Sequence, residues 1–204
     1  MVRLTTPISD QDIEALKVGD QVLISGVIVT ARDRAHKFLV DNFIETEPVE
    51  DERGLYEELK KLLTGGVIYH CGPVVVKDDG GYKFVSAGPT TSTRTEIYED
   101  KVIANFGVKG VIGKGGMGKR TLAALNQHKA VYLHAIGGAG ALIAQCVKEV
   151  QTVYKLSEFG VPEAFWVIRV EDFPAVVTMD SHERSLHEEK AQESEQVLQT
   201  LLSA

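Results

Sequence analysis

Three loops of the 204-residue chain combine cations, hydroxyls and glycines in ways that could bind an anion. The first is Ser86-Ala87-Gly88-Pro89-Thr90-Thr91-Ser92-Thr93-Arg94. It follows the strand-like run YKFVS and precedes a helical pattern, and Thr93 with Glu96 has the spacing of a capping box that would put Arg94 in the first helical turn. The unpaired N–H groups and partial positive charge of a helix start, with a run of hydroxyls and an arginine, suit a carboxylate or a phosphate. The same hydroxyls would equally serve as plain helix caps. The second loop is Gly113-Lys114-Gly115-Gly116-Met117-Gly118-Lys119-Arg120. It nearly spells a phosphate-binding P-loop, but Arg120 stands where that motif needs a magnesium-binding Ser or Thr. Its glycine-rich backbone could still wrap an anion, with Lys114 or Lys119 adding charge, or it could be a tight turn. The third, Thr30-Ala31-Arg32-Asp33-Arg34-Ala35-His36, carries two guanidinium forks of carboxylate-binding shape at a loop-to-helix junction, or else forms a solvated face. A weaker glycine run, Ile136-Gly137-Gly138-Ala139-Gly140, lacks the last glycine of a dinucleotide fingerprint and reads as close backbone packing.

The elements that must hold these loops are legible in outline. Ser9 and Asp12 predict a short helix start, and the β-branched run Gln21 to Ala31 predicts a strand or a bent pair of strands broken at Gly26. Arg32 to Val40 could be helical, ETEPVEDERG reads as a charged loop, and Leu55 to Leu63 has the leucine spacing of a helix. VIYHC, VVV and YKFVS then read as short strands separated by Gly-Pro and Asp-Asp-Gly-Gly turns. Beyond Thr90 the pattern alternates. Helices are expected over Thr93 to Asp100, Lys119 to His128 and Ala141 to Val150, and strands over Lys109 to Ile112, Lys129 to His134, Phe165 to Val170 and Ala175 to Met179. Such alternation predicts an α/β fold with a mainly parallel sheet flanked by helices. Residues 1–185 form the expected catalytic domain, and residues 186–204 a helical tail with a thin apolar stripe.

Bulk properties narrow the function. A net charge of -7 argues against a nucleic-acid footprint, so an anionic substrate needs a local cationic site. The N-terminus lacks the apolar run of a signal peptide and no stretch is long enough for a membrane span, so a cytoplasmic protein without membrane contact is expected. The two cysteines, Cys71 and Cys146, are too few for a zinc site or a cysteine-ligated cluster in this chain and read as apolar thiols.

Taken in order, TARDRAHK, CGPVV, SAGPTTSTR, GVKGVIGKGGM, GGAGAL and VEDFPAVVTMDS resemble the tartrate dehydratase beta-type, or class I fumarate hydratase C-terminal, domain, from about Leu4 to Ser185. The resemblance implies a swivelling β/β/α domain and a hydro-lyase that hydrates fumarate to L-malate, with L-tartrate dehydration to oxaloacetate as the alternative. It implies a 4Fe-4S cluster carried on three cysteines of a partner alpha subunit, with one iron open to substrate and none of the cluster held here. The chain starts at its own methionine and lacks the alpha region, so the two-subunit form is expected, oligomeric and active only with its partner. The resemblance further implies that Arg32, Arg94 and Lys114 bind the substrate carboxylates, with Gly88 in the binding loop, and that Thr90 transfers the proton. A threonine hydroxyl is a very weak acid, so that last role needs strong local positive charge, and a water or an alpha-subunit residue could be the base instead. A nucleotide-binding P-loop protein and a non-catalytic anion-binding module are the readings from other classes.

Overall fold

The computed structural model describes residues 1–203. Its strands are β1 (Val2–Thr5), β2 (Gln21–Thr30), β3 (Val67–Tyr69), β4 (Val74–Asp78), β5 (Gly81–Ser86), β6 (Gly110–Gly113), β7 (Val131–His134), β8 (Val147–Tyr154) and β9 (Phe165–Met179). Its α-helices are α1 (Asp10–Ala15), α2 (Asp33–Leu39), α3 (Glu50–Leu63), α4 (Glu96–Phe106), α5 (Lys119–Gln127), α6 (Gly140–Ala144), α7 (Leu156–Phe159) and α8 (Leu186–Leu202). Ser9 does cap α1, its hydroxyl accepting the Asp12 N–H at 3.2 Å.

The main sheet runs β1-β2-β3-β6-β7-β9-β8. β1, β2, β3, β6 and β7 pair in parallel along that order, as the alternating pattern predicts. β9 departs from it. The two short strands expected around Pro174 are one strand of 15 residues, antiparallel to all its neighbours. Its second half pairs with β2 on one side (Val22↔Ala175) and with β7 on the other (Leu133↔Val177). The strands β2-β3-β6-β7-β9 therefore close into a ring.

The period-2 alternation of the strands builds a core on each face of that ring. Val67 and Tyr69, Ile112, Leu133, Trp166 and Ile168 join one buried cluster, which α1, α6 and the β4–β5 hairpin close over through Ile13, Ile143 and Phe84. Their sequence neighbours Ile68, Val111, Tyr132, Phe165 and Val167 join the other, against Leu39, Leu59, Ile103 and Leu125 of α2 to α5. Strands buried on both faces in this way read as continuous apolar runs.

Two further expectations are corrected. Helix α3 starts at Glu50, inside the segment read as a charged loop, because Glu50, Asp51 and Glu52 suit the positive end of a helix. The helix expected over Ala141 to Val150 stops after Ala144, and Val147–Tyr154 forms β8 instead. Val147, Val150 and Val153 favour a pleated surface, and the free edge of β9 supplies the partner.

β2 bends at a bulge between Ile24 and Gly26, where φ is +109°. A Cβ at Gly26 would collide with the Thr6 hydroxyl. Gly26→Ala should therefore cost about 2 kcal/mol or more, from strain and steric clash together, as a lowered urea midpoint. An unchanged midpoint would mean the bulge relaxes freely.

Candidate active site

The parallel strands β2, β3, β6 and β7 all end on the same side of the ring; the loops after β2 and β6 carry Arg32 and Lys114, and the loop after β5 brings Gly88, Thr90 and Arg94. Open α/β sheets bind ligands at this carboxyl edge. Beyond the ends of β3 and β6, the segment Pro89–Ser92 lies between the two departing chains. The Thr90 N–H donates to His70 O (2.8 Å), the Lys114 N–H to Thr90 O (3.2 Å), and the Ser92 N–H to Lys114 O (3.1 Å). Bridges Cys71↔Pro89 and Thr91↔Lys114 complete the pairing. Thr90 and Lys114 are thus fixed side by side through their main chains, both half-buried. The Thr90 hydroxyl donates to the His70 carbonyl at 3.1 Å.

The arginines meet across Asp33. Arg94 reaches its carboxylate at 3.0 Å and Arg32 lies 3.8 Å from the same oxygen, while Arg32 Nε sits 3.3 Å from Glu163. Arg32 is largely covered and Arg94 is 57% exposed. Gly72, on the loop after β3, leaves the space into which the Arg32 guanidinium fits. Gly88 packs against Gly140, and the Ala87 N–H donates to Gly140 O at 2.9 Å, so the glycine run after β7 does serve close backbone packing. Gly88 thereby joins the β5–α4 loop to the β7–α6 loop. Arg34 points elsewhere, its guanidinium 4.7 Å over the Phe159 ring.

The P-loop reading fails on geometry. The N-terminus of α5 is already occupied by the carboxylate of Glu96, which accepts from Gly118 N (2.7 Å), Thr121 N (3.2 Å) and the Thr121 hydroxyl (2.7 Å). Arg120 is held by Asp100 at 2.6 Å. Glu96 is therefore not the partner of Thr93 in a capping box. The segment Ser92–Thr95 is a tight 3-10 turn, and α4 starts only at Glu96.

Beneath the site lies a buried trio whose association no sequence spacing signals. His36, His70 and Glu99 are fully buried. His36 Nε2 and His70 Nε2 lie 3.2 and 3.0 Å from the same Glu99 oxygen, neither in good hydrogen-bond alignment. His36 Nδ1 donates to Arg32 O at 2.9 Å. His70 Nδ1 is 2.8 Å from the Ser92 hydroxyl, which accepts from Tyr132 O–H at 2.8 Å. Burial opposes charge on all three groups. At Glu99 the two imidazoles outweigh it and hold the carboxyl well below its usual range. At His36 the Glu99 carboxylate outweighs it and raises the pKa, whereas at His70 burial wins and lowers it. The only sequence signal was a histidine one helical turn after Arg32. That segment reads either as an anion site or as a solvated face, and the burial of His36 is not legible there because the position of Glu99 relative to it is set by tertiary packing alone.

Removal of the Glu96 carboxylate should free the start of α5. Glu96→Ala is expected to lower stability by roughly 1–3 kcal/mol in denaturant titration, the cost of a lost cap and of donors left unpaired. If the exchange of the Gly118 and Thr121 amides with deuterium stays as slow as in the parent, Glu96 is not what holds them.

The family model described as Fumarase C-terminus matches residues 1–190. A Geobacillus stearothermophilus protein named "Putative fumarate hydratase class I" is 49% identical over 190 residues, covering 93% of this chain and 34% of its own length. The chain thus spans about a third of that relative. The L(+)-tartrate dehydratase subunit beta of Escherichia coli K12 is 38% identical over 184 residues, covering 90% of this chain and 85% of its own. A single family match over nearly the whole chain, with relatives alike in length or fused to more, leaves one assignment: the protein belongs to the fumarase C-terminus family.

Proposed function

We propose that this chain is the beta-type subunit of a hydro-lyase that hydrates fumarate to L-malate. The observation that carries the reading is that Arg32 and Arg94 meet at the Asp33 carboxylate while Lys114 and Thr90 are paired through their main chains beyond the same carboxyl edge of the sheet. A trans-dicarboxylate presents two anionic ends, and three cations of which two are guanidinium forks match that demand. The greater identity to the relative named for fumarate favours fumarate. L-tartrate is the second reading, favoured by the relative whose length this chain nearly matches.

The residues of this chain divide the work as follows. Arg32, braced by Glu163, and Arg94, free to swing from Asp33, take the carboxylates. Proton transfer at a carbon beside a carboxylate builds charge on that carboxylate, and fixed cations offset it. The Thr90 hydroxyl donates to the His70 carbonyl at 3.1 Å, so it acts as the base only once that proton has left to solvent, and the nearby cations favour the resulting alkoxide over the neutral hydroxyl. An iron–sulfur cluster does not fit this chain. Of its two cysteines, burial pushes the Cys71 thiol up to about 12 and raises Cys146 as well, the opposite of what a thiolate ligand needs. We assign the cluster to a partner subunit. Ile136 and Leu142, 68% and 65% exposed on the loop and helix that pack against Gly88, offer that partner an apolar face beside the site. No helix among the described residues is long and apolar enough to cross a membrane.

Purified anaerobically with its partner, the chain should hydrate fumarate, and alone it should not; turnover by the isolated chain would refute the division of labour. In the assembled enzyme, Arg94→Ala and Lys114→Ala should each lower kcat/KM by about two orders of magnitude or more with little change in Tm, since both are loop residues. Arg32→Lys should also be costly, because an ammonium cannot make the bidentate contact. Thr90→Ala should leave the Tm within a few degrees while lowering kcat by roughly a hundredfold or more, and Thr90→Ser should restore part of it. The decisive measurement is exchange of the substrate's C3 hydrogen with solvent deuterium. If Thr90→Ala exchanges as fast as the parent, the base is a water or a partner residue.

A further inference from the structure

We propose that the buried His36–Glu99–His70 cluster is a positioning device that fixes the distance between the Arg32 loop and the Thr90–Ser92 segment. The proposal deepens the hydro-lyase reading and rests on it for what the two loops do.

The connections run through one carboxylate. On one side, the Arg32 carbonyl accepts both the His36 N–H and His36 Nδ1–H, each at 2.9 Å, so the imidazole is locked to the main chain of the carboxylate-binding arginine. On the other side, the His70 carbonyl accepts both the N–H and the hydroxyl of Thr90, while its ring holds the Ser92 hydroxyl. Glu99, from α4, stands between the two rings and contacts both through the same oxygen. The loops after β2 and β3 and the inserted segment are thereby referred to a single point on a helix.

The proton inventory supports this arrangement. A carbonyl only accepts, so His36 Nδ1 carries a proton. The Glu99 carboxylate raises the His36 pKa and burial lowers that of His70, directions that favour one imidazolium against one carboxylate, a trio that sums to zero. A neutral His70 that turns Nε2–H toward Glu99 leaves Nδ1 to accept from Ser92, and Ser92 in turn accepts from Tyr132. The backbone of β6 makes room for these contacts. A side chain at Gly113 would collide with the Ser92 hydroxyl and press on Tyr132 and His70. None of these residues faces the exposed edge where Arg94 lies, so they act through Arg32 and Thr90 and not on substrate.

The test uses two variants of the assembled enzyme, normalised to folded protein. Ser92→Ala removes the hydroxyl that joins the His70 ring to Tyr132, leaves the bonds from Thr90 to the His70 carbonyl, and should lower kcat while leaving KM near the parent value. Glu99→Gln cuts both links, and should lower kcat/KM on the order of a hundredfold with KM raised as well, as expected when reacting groups shift by about an ångström. A role in stability alone would lower Tm and yield but not kcat per folded site, and Ser92→Ala with parental kcat overturns the proposal. Imidazole 15N shifts of the full chain near pH 7 provide a readout without turnover. His36 should carry both protons and His70 one, on Nε2; a neutral His36, or a stoichiometric metal ion in elemental analysis bound by the three side chains, would overturn it. Failure of the parent enzyme to act on either dicarboxylate would instead remove the hydro-lyase reading and leave the shifts to decide the cluster.

Discussion

Everything at the carboxyl edge depends on β9. Four parallel strands deliver their loops to one side, but parallel pairing by itself leaves an open sheet whose end strands could diverge. β9 bonds to β2 and β7 at once, and this closure sets how far apart the loops after β2 and β7 stand. The ring also creates a second buried face, filled by Tyr69, Ile112, Leu133 and Trp166, against which the strands cannot slip by one residue without exchanging their two apolar faces. The inserted segment Pro89–Ser92 is then set by main-chain bonds between two strand ends that are already fixed.

Carboxylates organise the upper layer, and each is committed to a different task. Glu96 closes the start of α5, Glu99 links two imidazoles, Asp33 spans two guanidinium groups, and Glu163 takes the Arg32 side chain together with the Arg34 N–H. This accounts for a feature of the net charge. Although acidic residues are in excess, those nearest the candidate site are paired with protein donors, while Lys114 stands beside Thr90.

How much of this was legible in the sequence varied with the range of the interaction. Local chemistry was readable. The Ser9 cap, the break at Gly26, the strand-turn-strand of β4 and β5, and the three loops with their cations all depend on neighbours a few residues away. The order of motifs added the family. What failed were contests settled by distant partners. Val147 to Tyr154 became a strand because β9 offered an edge, Glu96 turned away from Thr93 because α5 lay within reach, and His36 proved buried because Glu99 comes from another helix. Spacing alone could not tell the glycine loop before α5 from a phosphate cradle, because the difference lies in a carboxylate placed there by tertiary packing.

The sharing of Asp33 by Arg32 and Arg94 bears on dwell time. A carboxylate that engages Arg94 must first displace one that is already there, tethered and at high local concentration. The net gain on such binding would be the difference between two similar ion pairs, and on departure Asp33 would recapture the arginine without a diffusive search. On the proposed reading, a site built this way would exchange occupants quickly at the expense of tight retention, which suits a reversible reaction whose two sides carry the same pair of anionic groups.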